Sequence, residues 1–139
     1  MRTLQLTIHF PVDSASYASL RSQDPALTAN VDERAWRGGV VSDPEPVVLS
    51  GIGVLDEHLF PLDEIDWTAV AAALATAPDL VAAEVGPLEN SSGVTHLIAT
   101  KNLPFSADTV VRVYVDGGDR RPGGYVQYFS NGTLDKVQA

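Results

Sequence analysis

The chain has 139 residues, 45% of them apolar and 19% charged, which is the composition of a folded protein. A chain of this length buries about two-thirds of its unfolded surface in one core, so one domain over residues 1–139 is expected. Cysteine is absent, which excludes disulfides, zinc-thiolate centres, iron–sulfur clusters and thiol nucleophiles.

The first residues alternate, with Leu4, Leu6, Ile8 and Phe10 on one side and Gln5, Thr7 and His9 on the other. That period of two predicts a half-buried strand ended by Pro11, not the unbroken apolar stretch of a secretory signal. Residues 12–20 suit a short helix capped by Asp13 or Ser14, with Tyr17 and Leu20 turned inward. Residues 21–46 carry Pro25, Gly38-Gly39, Pro44 and Pro46 and little periodicity, so an irregular stretch is expected. Long irregular stretches often bind something, and Trp36 is its expected anchor. Residues 47–55 read as one strand interrupted at Gly51 and Gly53, before a turn at Asp56-Glu57-His58.

The clearest helix covers residues 64–76. With Asp63 as N-cap, Asp66 falls at N3 and Leu62 can staple onto Trp67. Trp67, Val70, Ala71 and Leu74 then form the buried stripe, and Pro78 ends the helix. Four strands follow, over residues 80–85, 94–100, 109–116 and 125–130. Alternation is clearest where Val111, Val113 and Val115 oppose Arg112 and Tyr114. Asn131-Gly132 predicts a type I′ hairpin into a final strand at 133–137. The expected class is α+β: a mixed or antiparallel sheet of about six strands, one covering helix over 64–76, and a carboxy-terminal antiparallel meander. No apolar run approaches the roughly 20 residues that span a bilayer, and the cytoplasm is the expected compartment.

Motifs for catalysis or cofactors are missing. Gly51-Ile52-Gly53 begins like a dinucleotide fingerprint, but Asp56 stands where the third glycine belongs. The Gly-rich segment from Asp116 to Gly124, with Arg120 and Arg121, lacks the helix and the Gly-Lys-Ser/Thr ending of a phosphate loop. It reads as a flexible loop, or as a mobile arm that grips a carboxylate or phosphate through its arginines. Asp56, Glu57, Asp63, Glu64 and Asp66 crowd around His58 without calcium or zinc spacing, and His9, His58 and His96 are far apart. No metal, no cofactor and no catalytic residue is expected, and catalysis is disfavoured.

The net charge of −9 is uneven, because residues 1–100 hold 14 Asp and Glu against 4 Arg, whereas residues 101–139 hold 4 against 5 Lys and Arg. Such a field repels nucleic acid and anionic lipid and draws in a basic protein. Arg112, Tyr114, Tyr125, Gln127 and Phe129 would share the outward face of the meander in one register, whereas a one-residue slip turns Tyr125 and Phe129 inward. Aromatic rings with arginine suit a protein interface. The expectation is an acidic protein-binding module such as a toxin-neutralising immunity protein or a phage-borne inhibitor, from a GC-rich bacterial or phage genome. Its expected contact residues are Trp36, Asp56, Glu57, Glu64, Arg112, Tyr114, Arg120 and Arg121. The alternatives are a small-molecule binder or enzyme with a helix–sheet pocket, and an assembly subunit that forms homo-oligomers.

Overall fold

The computed structural model describes residues 1–51, 53–89 and 93–139. In chain order the elements are β1 (Arg2–His9), β2 (Tyr17–Gln23), β3 (Val31–Arg37), β4 (Val40–Val41), β5 (Glu45–Val47), α1 (Leu55–His58), β6 (Phe60–Pro61), a 3-10 turn (Leu62–Glu64), α2 (Trp67–Val85), β7 (Gly93–Lys101), β8 (Thr109–Asp116), β9 (Gly124–Phe129) and β10 (Leu134–Gln138). All ten strands join one antiparallel sheet, ordered β10-β9-β8-β7-β1-β2-β3-β4, with β5 added to β3 and β6 to β1. The α+β class and the carboxy-terminal meander hold. The sheet exceeds the expected six strands.

Most of the extra strands come from residues 12–46, expected to be a short helix and an irregular stretch, and β6 adds one more at Phe60–Pro61. Ala18 and Leu20 pair with Ile8 and Leu6, so β2 lays its apolar positions beside those of β1. Its other positions are Tyr17, Ser19 and Arg21, which weakens the contrast that marks a strand in sequence. β3 is mostly charged, Val31-Asp32-Glu33-Arg34-Ala35-Trp36-Arg37, because α2 packs on β7 to β10 and leaves this half of the sheet open. Residues 47–55 do not form one strand. The chain leaves the sheet after Val47, and Val48 is exposed, so the apolar run finds no face to bury; Ile52 lies outside the described residues.

The helix also differs from expectation. Asp66, not Asp63, is the N-cap, its carboxylate accepting from Ala69 N at 3.1 Å. Trp67 therefore opens the helix, and its indole donates back to Leu62 O at 3.2 Å. Pro78 does not end α2 but sits inside it, and the predicted strand over 80–85 is the helix's last turns. Proline removes one helical hydrogen bond, costing about 3 kcal/mol. Ala77 and Val81, fully buried on either side of it, hold the helix to the sheet. Contrary to the hydropathy reading, Trp67–Val85 is long and apolar enough to cross a membrane by length and composition. Here Val70, Ala73, Ala77 and Val81 are buried against Leu97, Val111, Val113, Val126 and Tyr128.

The β9–β10 hairpin forms where Asn131-Gly132 placed it, but not through a type I′ turn. Only Gly132 has positive φ, at 85°, and its N–H donates to Phe129 O at 2.9 Å while Phe129 N donates to Thr133 O at 2.8 Å. This is a type I turn followed by a left-handed glycine, the three-residue hairpin with a bulge. A Cβ on Gly132 would stand 2.5 Å from Ala69 Cβ, so the turn is also where α2 approaches. Asp66 N donates to Ser130 O at 2.8 Å, tying the helix start to the same hairpin.

Candidate functional site

Because α2 covers one face, every second residue of the central strands points to the other face. Register then lines up a row across six strands. Arg37 lies opposite Tyr17, Tyr17 opposite His9, His9 opposite His96, His96 opposite Tyr114, and Tyr114 opposite Tyr125. The rings stack from Tyr17 to Tyr114, and Tyr125 is tilted by 44° against Tyr114. Centroids are 4.6 Å apart for Tyr17 and His9, 5.6 Å for His9 and His96, 4.3 Å for His96 and Tyr114, and 5.3 Å for Tyr114 and Tyr125. The Arg37 guanidinium closes one end, 4.1 Å above the Tyr17 ring.

These separations match the strand spacing of about 4.8 Å, so the rings stand on the sheet and use their faces against one another. Their edges, carrying phenol hydroxyls and imidazole nitrogens, face outward. The surface is rigid, aromatic and able to both donate and accept hydrogen bonds, a combination favoured in protein contacts. His96 is held further by a 2.9 Å hydrogen bond between its Nδ1 and Thr95 Oγ1. Burial, and then the neighbouring His9, push the His96 pKa below its ordinary value.

Beside this row the face is braced by a polar chain. Arg112 Nε donates to Gln127 Oε1 at 2.8 Å and its Nη2 to Asn102 Oδ1 at 3.1 Å; Gln127 Nε2 donates to Asp135 Oδ2 at 2.8 Å. Gln127 is fully buried although it lies on the open side. Arg112 and Asp135 hold it from either side, and in the loop between β7 and β8 the Phe105 ring lies 6.0 Å from the Lys136 ammonium. Arg112 is thereby fixed, its guanidinium 5.9 Å from the Tyr125 ring centre.

Of the residues expected to make contacts, only Arg112 and Tyr114 come together, with Tyr125, Gln127 and Phe129 on their side of the sheet. The register decides between the two faces weighed for β9: Tyr128 is the buried one, its hydroxyl donating to Ala73 O at 3.3 Å. Asp56 pairs with Arg2 at 2.9 Å, Glu57 is exposed on α1, and Glu64 accepts from Thr109 Oγ1 at 2.9 Å. Trp36 lies on the opposite face, in an apolar groove of about 320 Å³ with Met1, Leu6, Leu20 and Val41. Arg120 and Arg121 sit on the β8–β9 loop, which holds Glu89 of its own chain through Asp119 N and Arg120 N at 3.0 and 3.1 Å. Gly117 is packed so closely on Pro122 O that no Cβ would fit.

The centre of the row is not legible in the sequence. The pattern puts Tyr17 inward on a helix and His9 and His96 far apart, and only the pairing of β1 with β2 and β7 brings the three together, with His9 on the expected polar side of β1. His58 is on α1, away from the pair, and no group of three or more His, Asp or Glu that could hold a metal exists among the described residues. His96 and Arg112 do not line a helix–sheet pocket, because both lie on the face away from α2.

Acidic residues also cluster along the chain. Residues 55–85, which run from α1 through β6 into α2, contain seven carboxylates and no Lys or Arg. The open face carries charge of both signs: Arg21 paired with Glu33 at 3.1 Å, Arg37, Arg112, Lys136 and Asp135. Comparison with family models, curated proteins and solved structures returned no match.

Proposed function

We propose that this chain is a protein-binding module that docks through the open sheet face, with the row from Arg37 to Tyr125 as its anchor. The observation carrying this reading is the row of five rings on five strands capped by a guanidinium from a sixth. Stacking fixes the side chains before contact, so little conformational entropy is lost when a partner seats on them. A cytoplasmic inhibitor that works by surface occlusion, such as a toxin-neutralising immunity protein or a phage-borne inhibitor, is the class that uses such a surface. The partner is a basic protein: the net charge of −9 draws it in over a distance, and the aromatic row supplies the close contact.

Two variants separate these roles. Immobilised wild type, Tyr114→Ala/Tyr125→Ala and Asp56→Lys/Glu57→Lys are compared for the proteins each retains from bacterial extract, with folding checked by circular dichroism. The expected result is a set of proteins held by wild type and by the helical-layer variant in low salt, and lost from the ladder variant. Equal retention by the ladder variant would refute the docking face. A second reading, self-assembly, is favoured by the outer strand β10, most of whose residues are exposed. Light scattering that finds a defined oligomer, broken by substitutions in β10, would establish it instead.

A further inference from the structure

The two imidazoles at the middle of the row give it a property that a purely tyrosine-based surface would lack. His9 and His96 come from β1 and β7, directly opposite each other, with ring centroids 5.6 Å apart. Tyr17 of β2 and Tyr114 of β8 stack on their outer faces. The charged groups nearest along the face are Arg37 of β3, over the far side of Tyr17, and Arg112 and Asp116, two positions either side of Tyr114 on β8. Asp116 is engaged by Gly118 N at 3.1 Å. Tyr125 of β9 completes the row.

We propose that this pair makes the open face a proton-gated docking surface, occupied when both imidazoles are neutral and released when the pair takes up a proton from solvent. The inference rests on the reading of that face as the docking surface. Its physical basis is threefold. A proton on His9 sets a second cation over the Tyr17 ring, whose other face Arg37 already occupies at 4.1 Å. A proton on one imidazole opposes a proton on its stacked neighbour 5.6 Å away. A seated partner removes water from the ring edges, which penalises the charged form further, and a basic partner adds direct repulsion. The Thr95 hydroxyl does not oppose protonation, because it can accept from an Nδ1–H as readily as it donates to a bare nitrogen. The lowered pKa of His96, set by burial and then by His9, agrees with this coupling.

The gate works in the range around the unperturbed histidine pKa of about 6.5, and each proton that must leave before docking weakens binding about tenfold per pH unit below it. The test has two arms. Nuclear magnetic resonance of the imidazole protons in the free protein, from pH 8 to 5, reads the pair without any partner. The expected result is that His96 titrates below the ordinary histidine range and that His9→Gln moves its midpoint upward. A His96 midpoint that ignores the His9 substitution would overturn the gate, whether or not the face docks proteins.

In the second arm, proteins retained at pH 8 are challenged at pH 5.5. Scored as the fraction of what each protein itself holds at pH 8, release from wild type is expected to be at least tenfold above that from His9→Gln/His96→Gln or His96→Phe, the last of which keeps an aromatic ring in the row without a titrating nitrogen. Equal release from all three would also overturn the gate. Retention unaffected by Tyr114→Ala/Tyr125→Ala would instead remove the docking face itself, and the gate with it, while the first arm still reports the coupling.

Discussion

Single residues divide here according to which face of the sheet they serve. Tyr128 and Tyr125 are both tyrosines on β9, yet one is sealed beneath α2 and the other completes an exposed row. Burial pushes the Tyr128 pKa up, with a smaller opposing contribution from Thr76. A raised pKa means stability that is complete below about pH 10 and is lost as pH climbs through the folded-state value. Tyr128→Phe is expected to cost about 1 kcal/mol at neutral pH through the lost bond to Ala73 O, and to remove that alkaline loss in urea titrations. His96 has the opposite sign. Its pKa is lowered, so its contribution is complete above about pH 6.5 and is lost as pH falls through the folded-state value. Thermal unfolding of wild type is expected to move down below that pH, and that of His96→Phe to do so less.

Among the elements, α2 and the β9–β10 hairpin act as a unit. Gly132→Ala would force a side chain onto a φ of 85° and against Ala69, with an expected loss of about 1–3 kcal/mol in denaturant titration. Asp66→Ala removes the cap on Ala69 N, with an expected loss of about 1 kcal/mol. Pro78→Ala goes the other way. It restores a helical hydrogen bond at the expense of some chain entropy, for an expected gain of about 2 kcal/mol. These elements also mark where sequence reading succeeds. β8 was legible because Val111, Val113 and Val115 meet a complete helical cover, while Arg112 and Tyr114 do not. β2 and β3 were not legible, because their half of the sheet lacks that cover and their apolar positions are diluted by serine and charge. Pro78 misled because a helix tolerates one broken bond when burial on both sides holds it.

At the scale of the molecule, α2 and the aromatic row occupy opposite faces of the sheet, and the carboxylates of residues 55–85 lie outside that row. Composition revealed the acidity but not this division, because strand register decides which residues meet. Arg37, Tyr17, His9, His96, Tyr114 and Tyr125 are scattered over six segments of sequence and become neighbours only through the pairing of β3, β2, β1, β7, β8 and β9. The division predicts separable kinetics with a basic partner. Raising salt from 50 to 500 mM is expected to slow association, with dissociation changing little, because the Debye length falls from roughly 14 to 4 Å. The most direct test of the docking face is radical footprinting of the chain with and without its retained partner. Tyr17, Tyr114 and Tyr125 are expected to lose reactivity on binding, while Trp36, on the other side of the sheet, stays unchanged. Protection of Trp36 with the three tyrosines still fully reactive would contradict the account.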